Sequence, residues 1–336
     1  MTKTVLVTGG AGFIGSHFIR YLLGRHDDVE VINVDKLTYS ANPANLAEVA
    51  DHPRYRFVRL DLADEGAVRR LFRQHRVDEV VHFAAESHVD RSIRKTEPFI
   101  RSNIVGTHRL LEAVREAGVE RLIHVSTDEV YGSIPRGQAD EQTRLSPGNP
   151  YSASKAASDF LCLAYVNTYE LPVVITRCTN NYGPYQHPEK FIPRMILSAL
   201  QNRPLPIYGG GRQERDWIHV RDHCAALDRV RQGGRIGEIY HIGVEQPRTN
   251  LEVAERILDV LGRPRSLIRH VADRPGHDVR YALDASKIRT ELGWEPEVSF
   301  DRGLRETVEW YRRRRDWWEK AFSQLYREMP ERGDGG

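Results

Sequence analysis

The sequence has few of the features that mark secreted or membrane-spanning proteins. Its 336 residues include three cysteines, Cys162, Cys178 and Cys224, whose long spacings match neither a disulfide framework nor a Cys-x-x-Cys metal pair. No apolar run approaches the roughly 18 residues of a membrane helix, and Val5-Leu6-Val7 is too short for the core of a signal peptide. We therefore expect a cytoplasmic protein with no membrane contact and no metal site.

An excess of one charge is also absent, because 49 Lys and Arg residues balance 47 Asp and Glu residues. The net charge of +2 gives no general attraction to nucleic acid or to an anionic membrane. Lysine itself is scarce, with seven residues against 42 arginines, so each lysine position is informative. The length suits two domains.

Short apolar segments alternate with amphipathic segments in the first part of the chain. The apolar segments are rich in valine and isoleucine and are typical of strands covered on both faces, at residues 4–8, 30–34, 56–60, 79–83 and 121–125. Helical patterns lie between them at 16–25, 65–75 and 103–117. This order predicts an α/β fold with a doubly wound parallel sheet.

A glycine-rich segment, Gly9-Gly10-Ala11-Gly12-Phe13-Ile14-Gly15, joins the first strand to the first helix. Glycine permits a tight turn and a close approach of backbone to a pyrophosphate, and the N–H groups at a helix start favour an anion. Asp35 follows Gly15 by 20 residues, at the end of the second strand, where it would bind ribose hydroxyls and repel a 2′-phosphate. The motif predicts NAD rather than NADP. Two alternatives stay open: Asp35 could be an ordinary turn residue, and Lys36 could contact a phosphate.

The chain becomes rich in proline and glycine loops after about residue 177, which is typical of ligand-binding lobes. We expect a Rossmann-like NAD-binding domain at 1–180, to which the chain returns at about 223–247. A smaller mixed α/β substrate domain is expected at 181–222 and 248–290. Helical patterns near 250–261 and 300–314, a C-terminal helical segment at 291–322 and a disordered tail at 330–336 complete the chain.

Tyr151 and Lys155 lie four residues apart at the start of a helical pattern, which puts them on one helix face. A lysine ammonium beside a phenol favours the phenolate. Tyr151 would then accept a hydroxyl proton while hydride leaves the same carbon for the nicotinamide. An exposed pair on a helix surface is the alternative.

Thr127, Asp128 and Glu129 follow the fifth strand, at the sheet end where ligands bind in α/β folds. A hydroxyl such as that of Thr127 suffices to hold a carbonyl oxygen during hydride transfer. Two adjacent acids suit a reaction that also removes a proton from carbon and protonates a leaving hydroxide. The alternative is a pair of ordinary acids at a loop boundary.

With these motifs the chain resembles the extended short-chain dehydrogenase/reductase superfamily, and within it the nucleotide-sugar 4,6-dehydratases that act on dTDP-glucose. The resemblance runs from the glycine loop to about Trp318 and rests on segments 84–92, 126–132, 180–185, 215–217 and 272–278. The Thr127-Asp128-Glu129 triplet discriminates best, because sister epimerases and decarboxylases lack it. The short segments 116–121 and 132–151 are similar to those of enzymes that make actinobacterial deoxysugars.

The resemblance implies a cycle with no net oxidation. Tyr151, aided by Lys155, would take the C4 hydroxyl proton as hydride passes to NAD. Glu129 would then take the C5 proton while Asp128 protonates the C6 hydroxyl. Return of the hydride to C6 would give dTDP-4-keto-6-deoxyglucose, with NAD bound throughout. The resemblance also implies a homodimer, for which helices at 103–114 and 153–165 are candidates.

The motifs and the resemblance together assign the binding residues. The cofactor set is Gly9, Gly12, Phe13, Ile14, Gly15, Asp35, Lys36, Asp61, Leu62, Ala84, Tyr151, Lys155 and Asn180. The substrate set is Ser87, His88, Asn181, Lys190, Pro206, Tyr208, Arg215, Asn250 and His277. The residues alone leave four alternatives open: Asp61 as a loop acid, Arg215 as an ion pair with Asp216, Asn250 as a helix N-cap and Tyr208 as a core residue.

Two other functions stay open at the level of sequence. A 4-epimerase, or a dehydratase for UDP or GDP sugars, would act independently of Asp128 and Glu129 or prefer another nucleotide. An NAD-binding regulatory protein would be expected to lack Tyr151, Lys155 or the acid pair, and all of these are present.

Overall fold

The computed structural model describes residues 2–273 and 277–328. The strands in these ranges are β1 Lys3–Thr8, β2 Val29–Asp35, β3 Tyr55–Arg59, β4 Glu79–His82, β5 Arg121–Thr127, β6 Val173–Cys178, β7 Asn180–Tyr182, β8 Leu205–Tyr208, β9 Glu214–Arg215, β10 Trp217–His219, β11 Ile239–Ile242, β12 Arg248–Thr249 and β13 Ile268–Val271.

The α-helices in the same ranges are α1 Phe13–Arg25, α2 Glu65–Gln74, α3 Val89–Arg94, α4 Glu97–Phe99, α5 Gly106–Ala117, α6 Pro150–Tyr169, α7 Phe191–Leu200, α8 Val220–Gly233, α9 Asn250–Leu261, α10 Ser286–Leu292, α11 Phe300–Arg313 and α12 Arg315–Glu328. Short 3₁₀ helices occur at Pro43–Val49, Asp128–Tyr131 and Arg265–Leu267, and a π-helix at Ile100–Val105. None of the helices described is long and apolar enough to cross a membrane.

Seven strands form one parallel sheet in the order β11-β6-β5-β4-β1-β2-β3. Successive side chains point to opposite faces, so Val5 and Val7 of β1 pack with α1 and α8, whereas Leu6 packs with the core that includes α2, α5 and α6. Both faces are therefore buried, which explains the continuous apolar character of the strands. The fold is the doubly wound α/β fold that the sequence predicts.

The strand order reverses direction at β1, which lies between β2 and β4. In an open parallel sheet, such a reversal leaves a crevice at the carboxyl ends of the strands. The loops that follow β1, β4, β5 and β6 meet there.

A second core lies beside the sheet. It is formed by α7, α9, α11 and α12, through buried residues such as Ile196, Ile257, Leu304 and Phe322. Small two-strand sheets pair β8 with β13, β9 with β12 and β7 with β10. This lobe borders the crevice through residues such as Tyr208, Arg215 and Asn250.

The final helix also reaches the glycine loop. Trp317 Nε1 of α12 donates a hydrogen bond to Asn45 Oδ1 at 2.8 Å, and Asn45 Nδ2 donates to the Ala11 carbonyl at 3.1 Å. Asn45 is buried. The two ends of the described chain are therefore connected through one side chain.

The structure differs from the sequence prediction at the start of α5. The helix predicted at 103–117 begins as the π-helix Ile100–Val105, and α5 proper starts at Gly106. The buried Asn103 lies in this wider turn and donates hydrogen bonds to the Glu86 carbonyl at 3.0 Å and to Ser154 Oγ at 2.8 Å. The tail predicted at 330–336 lies outside the described residues.

Candidate active site

The loop between β1 and α1 has a backbone shape that requires its glycines. Gly9 has a φ of +71°, and a Cβ atom there would lie 2.7 Å from the backbone nitrogen of Ala84. A Cβ atom on Gly15 would lie 2.5 Å from the Gly9 carbonyl oxygen. Gly12 is the N-cap of α1 and has no side chain to accept from the first-turn N–H groups. These groups therefore remain available to an anion at the positive end of the helix dipole.

Asp35 ends β2 beside this loop. Its Oδ2 accepts a hydrogen bond from the Ala11 N–H at 3.1 Å, and its Oδ1 accepts one from the Leu37 N–H at 2.8 Å. Burial raises the pKa of Asp35, and these two hydrogen bonds oppose the rise. The hydrogen bond from Leu37 is one that an ordinary turn residue would also accept. Asp35 in addition lines a cavity at the ends of the strands, which a ribose-binding residue must do.

Lys36 and Asp61 lie on the same wall and are held by side chains near the π-helix. Lys36 Nζ donates a hydrogen bond to Ser102 Oγ at 2.6 Å. Asp61 forms an ion pair with Arg101 at 3.3 Å and accepts a hydrogen bond from the Ala63 N–H. Contacts within the protein therefore fix the positions of both side chains, and a ligand is not needed to orient them.

Two adjoining cavities lie at the carboxyl ends of the strands. The first has a volume of about 290 Å³, and every residue of the expected cofactor set lines it. The second has a volume of about 540 Å³, and every residue of the expected substrate set lines it. The residues shared by both walls are Glu86, Ser87, Glu129, Asn180, Asn181, Gln186 and Lys190. The fold thus brings together residues that lie far apart in the sequence.

The first cavity has polar groups suited to a dinucleotide. The glycine loop and Asp35 lie at one end, and Asn180 lies at the other, beside Tyr151 and Lys155. The Asn180 Oδ1 atom is buried and has no hydrogen-bond partner within the described chain. A buried acceptor of this kind indicates a missing donor, such as a ligand amide.

Asp128 lies at the end of β5 and is only 2% exposed. Its Oδ1 accepts a hydrogen bond from Thr127 Oγ1 at 3.2 Å, while its buried Oδ2 has no hydrogen-bond partner in ranges 2–273 and 277–328. Burial, and after it the neighbouring Glu129, raises the pKa of Asp128 well above its usual range. Asp128 therefore retains its proton at pH values where an ordinary aspartate has lost it.

Glu129 is less buried than Asp128 and lies on the wall shared by the two cavities. Ser152 Oγ donates a hydrogen bond to Glu129 Oε2 at 3.5 Å. One buried, protonated acid thus stands next to one better-solvated acid. Two acids in such different environments can serve as a proton donor and a proton acceptor in one reaction.

Tyr151 and Lys155 lie in the first two turns of α6 and line the first cavity. Lys155 Nζ donates a hydrogen bond to the Val125 carbonyl at 2.8 Å. Burial, and then the charge of Glu129, raises the pKa of Tyr151 well above its usual value. Burial and the negative charge of Glu129 thus oppose the phenolate that the sequence argument requires, so that form depends on positive charge beside the ring.

Arg215 is buried in the second lobe. The alternative prediction, that Arg215 forms an ion pair with Asp216, is wrong. Its guanidinium donates to the carbonyl oxygens of Glu214, Asp278 and Val279 and lies 4.1 Å from the ring centre of Tyr281. The Asp216 carboxylate instead accepts from the backbone N–H groups of residues 244–246. The positive charge of Arg215 is thus fixed at the wall of the second cavity.

Asn250 is the first residue of α9. The alternative prediction, that Asn250 is the N-cap of this helix, is also wrong. Thr249 is the cap: its hydroxyl accepts from the Glu252 N–H at 3.1 Å, and Glu252 Oε2 accepts from the Thr249 N–H at 2.7 Å. This capping box leaves the Asn250 side chain without a capping role.

The remaining residues of the substrate set surround the second cavity. Lys190 Nζ donates to the Ser87 carbonyl at 2.7 Å and to its hydroxyl at 3.3 Å. Burial lowers the pKa of His88 to about 4, so this imidazole is neutral. Tyr208 is half-buried at the cavity wall rather than in the core, with its ring centre 5.9 Å from that of His277.

Sequence reasoning missed Tyr281 and Cys178. Tyr281 is buried, donates to Asp278 Oδ2 at 2.6 Å and lines the second cavity. It follows the segment 272–278 by three residues, so that motif could have indicated it. Cys178 lines the first cavity at the carboxyl end of β6, and the apolar run Val173-Val174-Ile175 gives the signal for that strand.

Comparisons with known proteins agree with this geometry. The sequence model of the family described as GDP-mannose 4,6 dehydratase matches residues 6–307. A dTDP-glucose 4,6-dehydratase of Streptomyces niveus is 54% identical over 95% of this chain and 96% of its own length. An Escherichia coli enzyme with the same name is 46% identical over 96% of this chain and 97% of its own length.

Solved structures show the same similarity. DesIV, the dTDP-glucose 4,6-dehydratase of Streptomyces venezuelae with NAD and dTDP bound, has a TM-score of 0.92 and 54% identity, covering 95% of this chain and 99% of that chain. The NAD complex of the Thermus thermophilus UDP-glucose 4-epimerase has a TM-score of 0.86 and 33% identity, covering 93% and 99% of the two chains.

Proposed function

This chain belongs to the dTDP-glucose 4,6-dehydratases, NAD-dependent hydro-lyases that convert dTDP-glucose to dTDP-4-keto-6-deoxyglucose, and on this premise we propose roles for its residues. The cofactor residues proposed are those of the set predicted from the sequence, all of which line the first cavity. The glycine loop would hold the pyrophosphate, Asp35 the adenosine ribose, Asp61 and Leu62 the adenine, and Asn180 the nicotinamide side. When bound, NAD supplies the hydride acceptor for C4 and the hydride donor for C6.

Tyr151 is proposed to act as a phenolate, favoured by the Lys155 ammonium and by the positive charge that bound NAD would supply, and to accept the proton of the C4 hydroxyl. Thr127 would hold the same oxygen. Oxidation at C4 makes the hydrogen on C5 acidic. Glu129 then accepts the C5 proton while Asp128 donates its proton to the C6 hydroxyl, so that water leaves. A proton returned to C5 completes the product, and the net change is the loss of one water.

The observation that best supports these roles is the difference between the two acids. Asp128 is buried and has a raised pKa, and its Oδ2 has no partner in the part of the chain that the structure describes. A group with a retained proton and an unsatisfied oxygen is suited to act as the general acid. Glu129, on the shared wall, is then the base.

The second lobe is proposed to hold the sugar nucleotide. Arg215 presents a forked cation for the diphosphate, and Asn250 lies beside it on the same wall. Pro206 and Tyr208 would flank the thymine, and His277 would lie close to them. Ser87, His88, Asn181 and Lys190 line the part of the cavity nearest the acids and would contact the sugar.

The division of the chain supports this assignment. We propose that residues 1–180 and 223–247, which build the sheet, bind NAD, and that residues 181–222 and 248–290 bind the substrate. Residues 291–322 complete the second core. We also propose a cytoplasmic location, on the spacing of the cysteines and the shortness of the apolar runs, and a role in deoxysugar biosynthesis, on the product proposed.

The protein is also proposed to be a homodimer. Phe160 and Tyr169 of α6 are 57% and 49% exposed, and Val105, just before α5, is 36% exposed. These apolar side chains lie on or beside the two helices that the family resemblance marks as an interface. Exposed aromatic side chains on a helix face are typical of contact surfaces.

Incubation of the purified protein with dTDP-glucose, and separately with UDP-glucose, in deuterated water tests the function. We expect a 4-keto-6-deoxy product from dTDP-glucose with deuterium at C5, and little product from UDP-glucose. Epimerisation at C4 alone, or faster turnover of UDP-glucose, would contradict the proposal.

A further inference from the structure

Two loops that border the first cavity from opposite lobes are joined by one buried carboxylate. The loop after Asp35, residues 36–42, contributes Lys36, Thr38, Ser40 and Ala41 to the cavity wall. The loop before α7, residues 183–190, contributes Gln186, His187 and Lys190. Between them, Tyr39 donates its hydroxyl hydrogen to Glu189 Oε1 at 2.8 Å.

Other contacts hold this pair in place. Arg91 donates to Glu189 Oε2 at 3.1 Å, and its guanidinium carbon lies 3.8 Å from the centre of the Tyr39 ring. The ring of His187 meets the Tyr39 ring edge-on, with 5.6 Å between their centres. The Glu189 side chain is only 2% exposed.

The charge of Glu189 is retained in spite of its burial. Burial opposes ionisation, but the charge of Lys190 and the hydrogen bond from Tyr39 favour the carboxylate, and the pKa of Glu189 is lowered. A hydrogen bond to a buried carboxylate is stronger than one between neutral groups. The Tyr39 contact is therefore a firm connection between the two loops.

The proposed reaction explains why such a connection would be needed. The hydride removed from C4 must return to C6 of the same sugar, so NADH must not leave between the two transfers. A dehydrogenase that releases NADH after each turnover has no such requirement.

We propose that Tyr39 and Glu189 form a latch that retains the dinucleotide during the cycle. The latch acts through the two loops, so both are positioning residues rather than catalytic ones. The proposal rests on the proposed function for its purpose, but retention of the dinucleotide can be measured without sugar nucleotide.

The test uses the full-length protein loaded with NADH. Released NADH is oxidised by lactate dehydrogenase and pyruvate, and the loss of its absorbance reports the dissociation rate. We expect the rate to rise about 10- to 100-fold in Tyr39→Phe and in Glu189→Gln, as expected for loss of a hydrogen bond to a charged group. The double variant should release NADH about as fast as Glu189→Gln alone, because both substitutions break the Tyr39–Glu189 contact and only Glu189→Gln also weakens the contact with Arg91.

Tyr240→Phe is the matched control. Tyr240 donates to Glu291 Oε2 at the same 2.8 Å, but neither residue lines the two cavities. Its release rate should equal that of the parent protein. Release from Tyr39→Phe or Glu189→Gln at the parental rate, with an unchanged Tm, would overturn the latch. Failure of the parent protein to convert dTDP-glucose would instead overturn the proposed function and leave the release rates interpretable.

Discussion

Asp128 and Glu129 are neighbours in the sequence but have different surroundings. Their position after β5 is visible in the sequence, because the strand pattern ends there and parallel strands present ligands at that end. The sequence does not show which of the two acids, Asp128 or Glu129, keeps its proton. Burial of Asp128 depends on packing of segments far apart in the chain, and its pKa also responds to Arg215, 87 residues away.

Glu129→Gln should separate the two halves of the reaction. The amide cannot accept the C5 proton, so we expect dehydration to slow by about 10²- to 10⁴-fold. Oxidation at C4 does not involve Glu129, so bound NADH should accumulate on addition of dTDP-glucose and be seen by its absorbance. Dehydration at the parental rate would show that another group is the base.

Asp128→Asn should stabilise the fold increasingly as the pH rises. The pKa of Asp128 is raised in the folded protein, so between the ordinary aspartate pKa and the folded value the unfolded chain binds fewer protons. Stability of the parent protein is therefore lost with rising pH in this window, by up to about 1.4 kcal/mol per pH unit, and asparagine removes that loss.

Urea unfolding of both proteins from pH 4 to pH 8 measures this difference. We expect the gap in unfolding free energy to widen with pH in favour of Asp128→Asn, while dehydratase activity falls. A gap that stays constant with pH would mean that Asp128 titrates normally.

At the scale of elements, the glycine loop and α1 offer a paired test within one helix. Gly15→Ala would place a Cβ atom 2.5 Å from the Gly9 carbonyl and 2.8 Å from the Gly10 Cα, so the loop must move. We expect NAD affinity to fall at least tenfold by calorimetry. Gly24→Ala, also in α1, has open space around its Cβ position among the described residues outside its own helix backbone. It should keep NAD affinity and stabilise the protein by about 0.5–1 kcal/mol.

The elements themselves were largely predictable. All five strands predicted in the first part of the chain exist, with bounds that differ by at most two residues, because their apolar runs are long enough to be distinctive. The π-helix at Ile100–Val105 was not predictable, because it depends on contacts of Asn103 with Glu86 and Ser154 that are distant in sequence. The loop geometry around Glu189 was missed for the same reason.

At the scale of the whole molecule, the proposed dimer makes a measurable prediction. Phe160→Asp puts a charge on the exposed face of α6 and should convert the dimer to a monomer, with the mass in solution halved by light scattering. Phe57→Asp is the control, because Phe57 is 40% exposed on β3, away from α5 and α6. Equal masses for both variants would place the interface elsewhere or show a monomer.

The contact from Trp317 through Asn45 to Ala11 sets an order of events during synthesis. The glycine loop leaves the ribosome long before α12, because the two lie far apart in the sequence. Domains generally fold as units while the chain is made, N-terminal part first. The sheet can therefore form early, but the side of the glycine loop that Asn45 supports stays incomplete until α12 has been made. A nascent chain should thus acquire its dinucleotide only after α12 has left the ribosome.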